Sequence, residues 1–297
     1  MKIGIGTPGT SETLDSTFFL EYARRADSAG FTTLTHLDRL VYTNHDPIIA
    51  LTAAAAVTSR IRLMTSVLLA PMRNAGVLAK QAATLDVISG GRLTLGMAVG
   101  SRPDDYALAP SNIHDRGRRF DTQLAHMMRI WAGDAVDGAG PVGPVPVQPN
   151  RPEVLIGGRV PTALRRVASW ADGYVTGAVF SPSTAKGIYD QVMELWREAG
   201  REGLPRFVGT VACAIGEEAA IKTAASIDHY YHYRGTADRS QAPTSAAGAD
   251  SRNNIPATIP AIREVLAACE QIGMDEVIVR PGVPDIEQVD MLAELLA

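Results

Sequence analysis

Apolar residues follow two spacings that alternate along the chain. Short runs such as residues 61–69 are almost continuously apolar, whereas longer segments such as residues 182–199 repeat apolar residues every three or four positions. The first pattern is typical of strands buried in parallel sheets, and the second of amphipathic helices. Eight strand-like runs, each followed by a helix-like segment, predict parallel strands joined by crossover helices.

The pattern places each strand and helix in the chain. The predicted strands are residues 2–7, 33–36, 61–69, 93–99, 153–156, 173–176, 207–214 and 276–279. The predicted helices are residues 18–29, 47–57, 75–88, 116–131, 162–171, 182–199, 217–233, 259–272 and 286–296. The simplest closure is an α/β fold, a (β/α)8 barrel of the TIM type with short insertions. An open, doubly wound sheet is the alternative, although its edge strands would need protection.

Two segments show neither spacing. Residues 133–150 are rich in Gly and Pro and include GPVGPVPVQP, which excludes an interior helix or a central strand. Residues 234–254 are polar and rich in Ala, Ser and Gly, so we predict a mobile loop that acts as a lid. Neither segment separates two hydrophobic cores, and we expect one barrel domain over residues 1–297.

The amino-acid composition argues against several classes of function. Of the 297 residues 46% are hydrophobic, which is enough for a large core. The net charge of −4 gives no excess of basic residues of the kind that binds nucleic acid. The chain has two cysteines and no apolar run long enough for a membrane span, and we expect a cytoplasmic protein without a signal peptide. Only four of the 28 basic residues are lysines, which argues against Schiff-base chemistry.

Candidate acid/base residues follow the second predicted strand. In (β/α)8 barrels, the loops after the strands carry the active site. His36 and Asp38 are two residues apart, so both lie on one face if the strand continues. An imidazole beside a carboxylate at the barrel mouth suits general acid/base catalysis. The alternative is a packed His36 and an Asp38 that pairs with Arg39 or caps a turn.

A candidate phosphate site follows the fifth predicted strand. This strand ends in Gly157-Gly158-Arg159 and leads into a helix near Thr162. The free backbone N–H groups and positive end of a helix suit a phosphate, to which Arg159 adds a charged donor. An ordinary tight turn is the alternative.

Metal and dinucleotide sites are not expected. The first strand carries Gly4-Ile5-Gly6 where a metal-dependent barrel would place two histidines. No GxGxxG follows a strand, which disfavours a Rossmann dehydrogenase.

Two segments of the chain carry a family resemblance. The first is residues 61–106, IRLMTSVLLAPMRNAGVLAKQAATLDVISGGRLTLGMAVGSRPDDY, and the second is residues 152–177, PEVLIGGRVPTALRRVASWADGYVTG. In this order they resemble the two signatures of the bacterial luciferase-like superfamily, which holds flavin-dependent monooxygenases and reductases that use the deazaflavin F420. The resemblance implies a TIM-type barrel with reduced FMN or F420 at its C-terminal mouth.

The resemblance also implies roles for particular residues. It places the cofactor phosphate near Gly157, Gly158, Arg159 and Thr162, further cofactor contacts at Val99, Gly100, Ser101 and Arg102, a cis peptide bond supporting the ring at Ser66–Val67, and acid/base or substrate-facing groups at His36 and Asp38. Many members carry a polar triplet such as Ser-Asp-His after strand two, whereas this chain has Thr-His-Leu-Asp over residues 35–38.

Three functions are compatible with this resemblance. The first is monooxygenation of a small organic substrate by reduced FMN and O2, with a separate flavin reductase as a partner. The second is hydride transfer with F420, and the third is flavin binding without catalysis. Because the chain has no lysine cluster for an oligoglutamate tail, FMN is favoured over F420. Family habit further suggests a homodimer.

Overall fold

Eight parallel strands close into a barrel in chain order in the computed structural model, which describes residues 1–9, 15–109, 111–136, 138, 140–178, 182–232 and 255–297. Each strand pairs with the next, and β8 pairs with β1. The strands are β1 (Lys2–Gly6), β2 (Thr33–His36), β3 (Arg62–Leu69), β4 (Leu93–Ala98), β5 (Glu153–Ile156), β6 (Gly173–Ala178), β7 (Arg206–Cys213) and β8 (Glu276–Pro281).

Helices surround the barrel. They are α1 (Ser16–Ala29), α2 (Pro47–Val57), α3 (Ala75–Ser89), α4 (Pro103–Leu108), α5 (Arg116–Trp131), α6 (Pro161–Trp170), α7 (Pro182–Glu198), α8 (Glu217–His232), α9 (Ile259–Gln271) and α10 (Glu287–Ala293). Side chains of Asp15, Asp46, Asn74 and Thr258 accept from first-turn amides and so cap α1, α2, α3 and α9. None of the described helices is long and apolar enough to cross a bilayer.

The predicted fold class is confirmed, and the open sheet is excluded because β8 pairs with β1. Most described element boundaries lie within two residues of the prediction; the last helix stops at Ala293 and continues as a 3-10 turn, Glu294–Leu296. The helix α4 was not predicted, although Pro103 and the two aspartates after it are typical of a helix start. The predicted lid, residues 234–254, lies outside the described residues.

Two apolar layers hold the barrel together. The larger core fills the space between the strands and the surrounding helices. A smaller cluster fills the barrel interior and consists of Met64, Leu155, Val175, Val208 and Ile278. Because inward-facing residues stack in layers inside such barrels, this cluster separates the two ends of the barrel.

Charged side chains close the N-terminal end of the barrel. The carboxylate of Glu153 accepts from Arg206 Nη1 at 2.6 Å and from Arg62 Nη2 at 3.3 Å, and Arg206 also pairs with the buried Glu276. These four residues come from β3, β5, β7 and β8. The network therefore ties non-adjacent strands together at the end opposite to the cavity described below.

The close approach of β3 and β4 predicts that Gly96→Ala destabilises the barrel. A Cβ at Gly96 would overlap the backbone oxygen of Thr65 in the adjacent strand, an overlap that no side-chain rotation can relieve. Overpacking of this kind typically costs about 1–3 kcal/mol, which we expect as a lower midpoint of urea unfolding. Gly187→Ala on α7 is the control, since nothing lies within 4 Å of its Cβ and alanine favours a helix by about 0.5–1 kcal/mol. Equal effects of the two substitutions would contradict this account.

Candidate active site

A cavity of about 240 Å³ lies at the carboxyl ends of the strands. Its lining combines small and apolar residues with charged ones. The charged lining residues are Asp38, Arg39, Arg102, Asp105 and Arg280. They lie close together because all eight strands are parallel and form a closed barrel, so the residues that follow the strands meet at one rim.

The structure brings together six of the residues singled out from the sequence. Asp38, Ser66, Val67, Gly100, Ser101 and Arg102 all line the cavity. Val99 is not among the lining residues, and its carbonyl accepts a hydrogen bond from the Tyr106 hydroxyl. Gly157, Gly158, Arg159 and Thr162 follow β5 at the same rim but do not line the cavity. Whether these residues contact a cofactor stays a prediction.

The end of β3 forms part of the cavity wall. The peptide bond between Ser66 and Val67 is cis, as the family resemblance predicts, and the pairing of β3 with β4 shifts register at this step. The Ser66 hydroxyl accepts from Arg280 Nη2 at 3.1 Å. Arg280 lies across the mouth above Gly6, where a Cβ would come within 2.8 Å of Arg280 Nε. Glycine in β1 thus leaves the space that an arginine from β8 needs to reach β3.

Asp38 is held by donors of the protein itself. Its carboxylate accepts from the Leu69 amide at 2.9 Å and from Arg73 Nη2 at 3.0 and 3.1 Å. Burial raises the pKa of Asp38, and the Arg73 charge and the Leu69 hydrogen bond oppose that rise. The carboxylate therefore fixes the chain after β3 to the loop after β2, and its predicted acid/base role stays a prediction.

His36 lies outside the cavity lining and is fully buried. Its Nε2 is 3.2 Å from the His45 carbonyl, which can only accept, so Nε2 carries the hydrogen. Its Nδ1, 2.8 Å from Thr7 Oγ1, then accepts from that hydroxyl. Burial lowers the pKa of His36 to about 4, which keeps the ring neutral near pH 7. This geometry matches the packed alternative; the catalytic assignment of His36 is left as a prediction.

Sequence reasoning assigned neither Arg39 nor Asp105 a catalytic or cofactor-binding role. Arg39 follows β2, and its Nε donates to Asp105 Oδ2 of α4 at 2.7 Å. The two side chains are 2% and 1% exposed, so the ion pair is buried. The available signal was an arginine after β2 and two acidic residues in the first turn of α4, which sequence spacing alone does not connect.

The turn after β5 presents the start of α6 to the same rim. Gly158 has a φ of +150°, and a Cβ there would lie 2.5 Å from the Cβ of Ala163. The turn therefore requires glycine and packs directly on α6. Among the described residues, no side chain caps α6, and Arg159 is exposed. These features agree with an anion site at the helix start.

The lowered pKa of His36 predicts a pH-dependent stability. Between pH 6.5, the ordinary histidine value, and pH 4, the unfolded chain binds a proton that the folded protein does not. The contribution of His36 is therefore complete above pH 6.5 and is lost as the pH falls toward 4, by up to about 3 kcal/mol in the free energy of unfolding. Urea unfolding across this range should show a weaker acid loss in His36→Gln than in the wild type. The exposed His114 serves as the control position, and a His114→Gln variant with the same weakened loss would remove His36 as the cause.

Comparison with known proteins identifies the family. A family model described as luciferase-like monooxygenase matches residues 1–268. An uncharacterized protein of Mycobacterium tuberculosis (strain ATCC 25618 / H37Rv) is 31% identical over 217 aligned positions, which cover 63% of this chain and 74% of that protein.

Solved structures share the fold. Monooxygenase RslO1 from Streptomyces bottropensis has a TM-score of 0.78 at 21% identity, with 100% of this chain and 98% of that chain covered. An F420-dependent secondary alcohol dehydrogenase in complex with an F420-acetone adduct has a TM-score of 0.78 at 16% identity, with 99% and 98% covered. The predicted resemblance is confirmed: this chain belongs to the luciferase-like monooxygenase family and is an enzyme of the oxidoreductase class.

Proposed function

We propose that the protein binds reduced FMN at the barrel mouth and uses it with O2 to monooxygenate a small organic substrate. The observation that carries the proposal is the cavity, which joins small and apolar wall residues to fixed cationic groups at the carboxyl ends of the strands. Binding pockets for planar cofactors are mostly apolar with a few placed polar groups. A separate flavin reductase would supply the reduced cofactor.

The wall residues fit a flat, hydrogen-bonding ring system. Gly100, Ser101 and Gly177 offer little side-chain bulk, and a Cβ added to Gly177 would meet no atom within 4 Å. Arg39 Nη1 is buried without a hydrogen-bond partner among the described residues. Ser66 and Val67 would support one face of the ring, and the guanidinium of Arg39 would face the substrate.

The turn after β5 fits the phosphate end of the cofactor. The uncapped start of α6 has backbone N–H groups and the positive end of the helix dipole. Gly158 allows a close backbone approach, and Arg159 adds a charged donor from an exposed position. The phosphate would lie at this turn with the ring directed into the cavity.

The remaining wall residues would position the substrate and exclude water. When bound, reduced FMN supplies the electrons that activate O2, and the oxygen chemistry belongs to the cofactor. Leu37, Leu69 and Ile227 give the cavity apolar surface against which a substrate would pack. Asp38 holds the loops after β2 and β3 together through Leu69 and Arg73, which keeps this wall in place.

F420-dependent hydride transfer is the second candidate. Three arginines, Arg39, Arg102 and Arg280, line the cavity, and a guanidinium suits the anionic groups of F420 as well as those of FMN. The structural neighbour that holds an F420-acetone adduct uses F420 on the same fold. FMN is placed first because only four lysines are present in the chain, without a cluster for an oligoglutamate tail.

Cofactor titrations test the proposed function. We expect reduced FMN to bind more tightly than reduced F420, and to bind about tenfold or more tightly than riboflavin, which lacks the phosphate. A reductase-coupled oxygen electrode should then record substrate-dependent O2 uptake in a screen of small ketones and carboxylic acids. Tighter binding of F420, with hydride transfer and without O2 uptake, would replace the first candidate by the second. Absence of binding by either cofactor would overturn both.

The phosphate assignment predicts that Arg159→Ala weakens FMN binding. Loss of a charge-assisted hydrogen bond should raise the dissociation constant of FMN about tenfold and leave that of riboflavin within about twofold. Arg165→Ala is the matched control, because Arg165 is exposed on α6 but lies a turn away from the start of that helix. If Arg159→Ala and Arg165→Ala bind FMN equally well, Arg159 does not belong to the site.

A further inference from the structure

Arg39 is held in one orientation beside the cavity. Its Nε donates to Asp105 Oδ2 at 2.7 Å, and its Nη2 donates to the Val41 carbonyl at 3.0 Å and to Asp104 Oδ2 at 3.3 Å. Its side chain is 2% exposed. A guanidinium held by several acceptors is a permanent positive charge in a fixed orientation.

The remaining nitrogen of Arg39 has no acceptor. Nη1 is buried and lacks a hydrogen-bond partner among the described residues. The ring centroids of Tyr42 and Tyr230 lie 5.7 and 5.4 Å from the guanidinium carbon of Arg39 and contribute cation–π contacts. A cation–π contact does not replace the hydrogen bond that Nη1 lacks. A buried donor left unpaired costs about 1–3 kcal/mol, more when it is charged. An oxygen that reaches Nη1 would recover this cost.

Arg102 brings a second positive charge to the same wall. Its Nη2 is 3.3 Å from Asp104 Oδ2, and its Nη1 is 3.4 Å from the Tyr230 carbonyl. Burial lowers the pKa of Arg102 and the like charge of Arg39 lowers it further, whereas Asp104 and Asp105 oppose that fall. Asp104 Oδ2 lies 3.3 Å from both guanidinium groups and offsets part of their repulsion, and a second anion in contact with both would offset more of it.

The carboxylates in the cavity wall are already engaged. Asp105 Oδ1 accepts from the amides of Leu40 and Val41 at 3.0 and 2.8 Å, and Oδ2 accepts from Arg39. Asp38 is likewise bound by the Leu69 amide and Arg73. The charged lining residues are three arginines and two aspartates, and the carboxylates of both aspartates are turned to protein donors. Asp104, which is not among the lining residues, pairs with both Arg39 and Arg102 and offsets part of their charge.

We propose that the cavity selects organic substrates that carry a carboxylate, and that the carboxylate oxygens bind between Arg39 and Arg102. The apolar body of such a substrate packs against Leu37, Leu69 and Ile227, which line the same cavity. Arg39 is the specificity-determining residue, since Asp105 and Asp104 fix its position. The inference deepens the proposed function, because it takes the cavity as the substrate site of that reaction.

Paired probes of equal shape test this selection. Calorimetric titrations of the FMN-loaded protein would compare hexanoate with hexanamide and benzoate with benzamide near neutral pH. We expect each carboxylate to bind about tenfold or more tightly than its amide, and Arg39→Gln to abolish the difference. Arg118→Gln, which removes an 83% exposed arginine of α5, should keep it. Equal binding of acid and amide by the wild type in both pairs overturns the proposal.

A second variant distinguishes loss of carboxylate binding from a folding defect. Arg39→Gln leaves Asp105 as a buried, unpaired charge, whereas the double variant Arg39→Gln with Asp105→Asn removes both charges together. The double variant should also lose the carboxylate preference while it keeps its FMN affinity within about twofold. If either variant instead loses FMN affinity and retains the carboxylate preference, Arg39 serves the cofactor and the proposal is overturned.

The outcomes separate this inference from the proposed function. Carboxylate selection that depends on Arg39, in a protein that binds neither FMN nor F420, would sustain the anion site and refute the proposed function. Cofactor binding without carboxylate selection would refute the anion site and leave the proposed function standing. To detect carboxylate selection in the absence of a cofactor, the titrations with the paired acids and amides are repeated on the protein without added FMN or F420.

Discussion

Closure of eight parallel strands in chain order is the constraint on which the rest of the structure depends. It places every strand end at one rim, so residues far apart in the chain share one cavity without any local motif that joins them. At the other end Glu153, Arg206 and Glu276 form an ion network that joins β5, β7 and β8. The cavity of the candidate active site is built by the loops after the strands, and its shape depends on how those loops are held.

Buried ion pairs between neighbouring loops hold that shape. Asp38 and Arg73 join the loops after β2 and β3, and Arg39 and Asp105 join the loop after β2 to α4. A buried pair contributes little net stability, because desolvation of the charges offsets their attraction. Each pair instead fixes geometry, because the carboxylates of Asp38 and Asp105 hold the guanidinium groups of Arg73 and Arg39 in one orientation. The cost of removing one partner alone is correspondingly high.

The fold was readable from the sequence, whereas only part of the site was. Strand and helix boundaries follow from periodicities in the chain, which explains why β2, α2 and β5 were predicted to the residue. Asp38 and Gly100 were found because strand ends are identifiable from the same pattern. Arg39 and Asp105 are 66 residues apart, and the Tyr42 hydroxyl meets a histidine 187 residues away. No local spacing encodes such pairs, since they are set by loop conformation and packing.

The strand order also separates the two proposed anion sites around the rim of the barrel. The turn at Gly158 follows β5, whereas Arg39 follows β2, so β3 and β4 lie between them around the rim. The cis peptide Ser66–Val67 lies within β3, and Gly100 follows the end of β4. A cofactor phosphate at the first site and a substrate carboxylate at the second would thus approach the cavity from different directions. Two like charges kept apart in this way would repel each other only weakly, so that the cofactor phosphate and the substrate carboxylate could be bound together without either displacing the other.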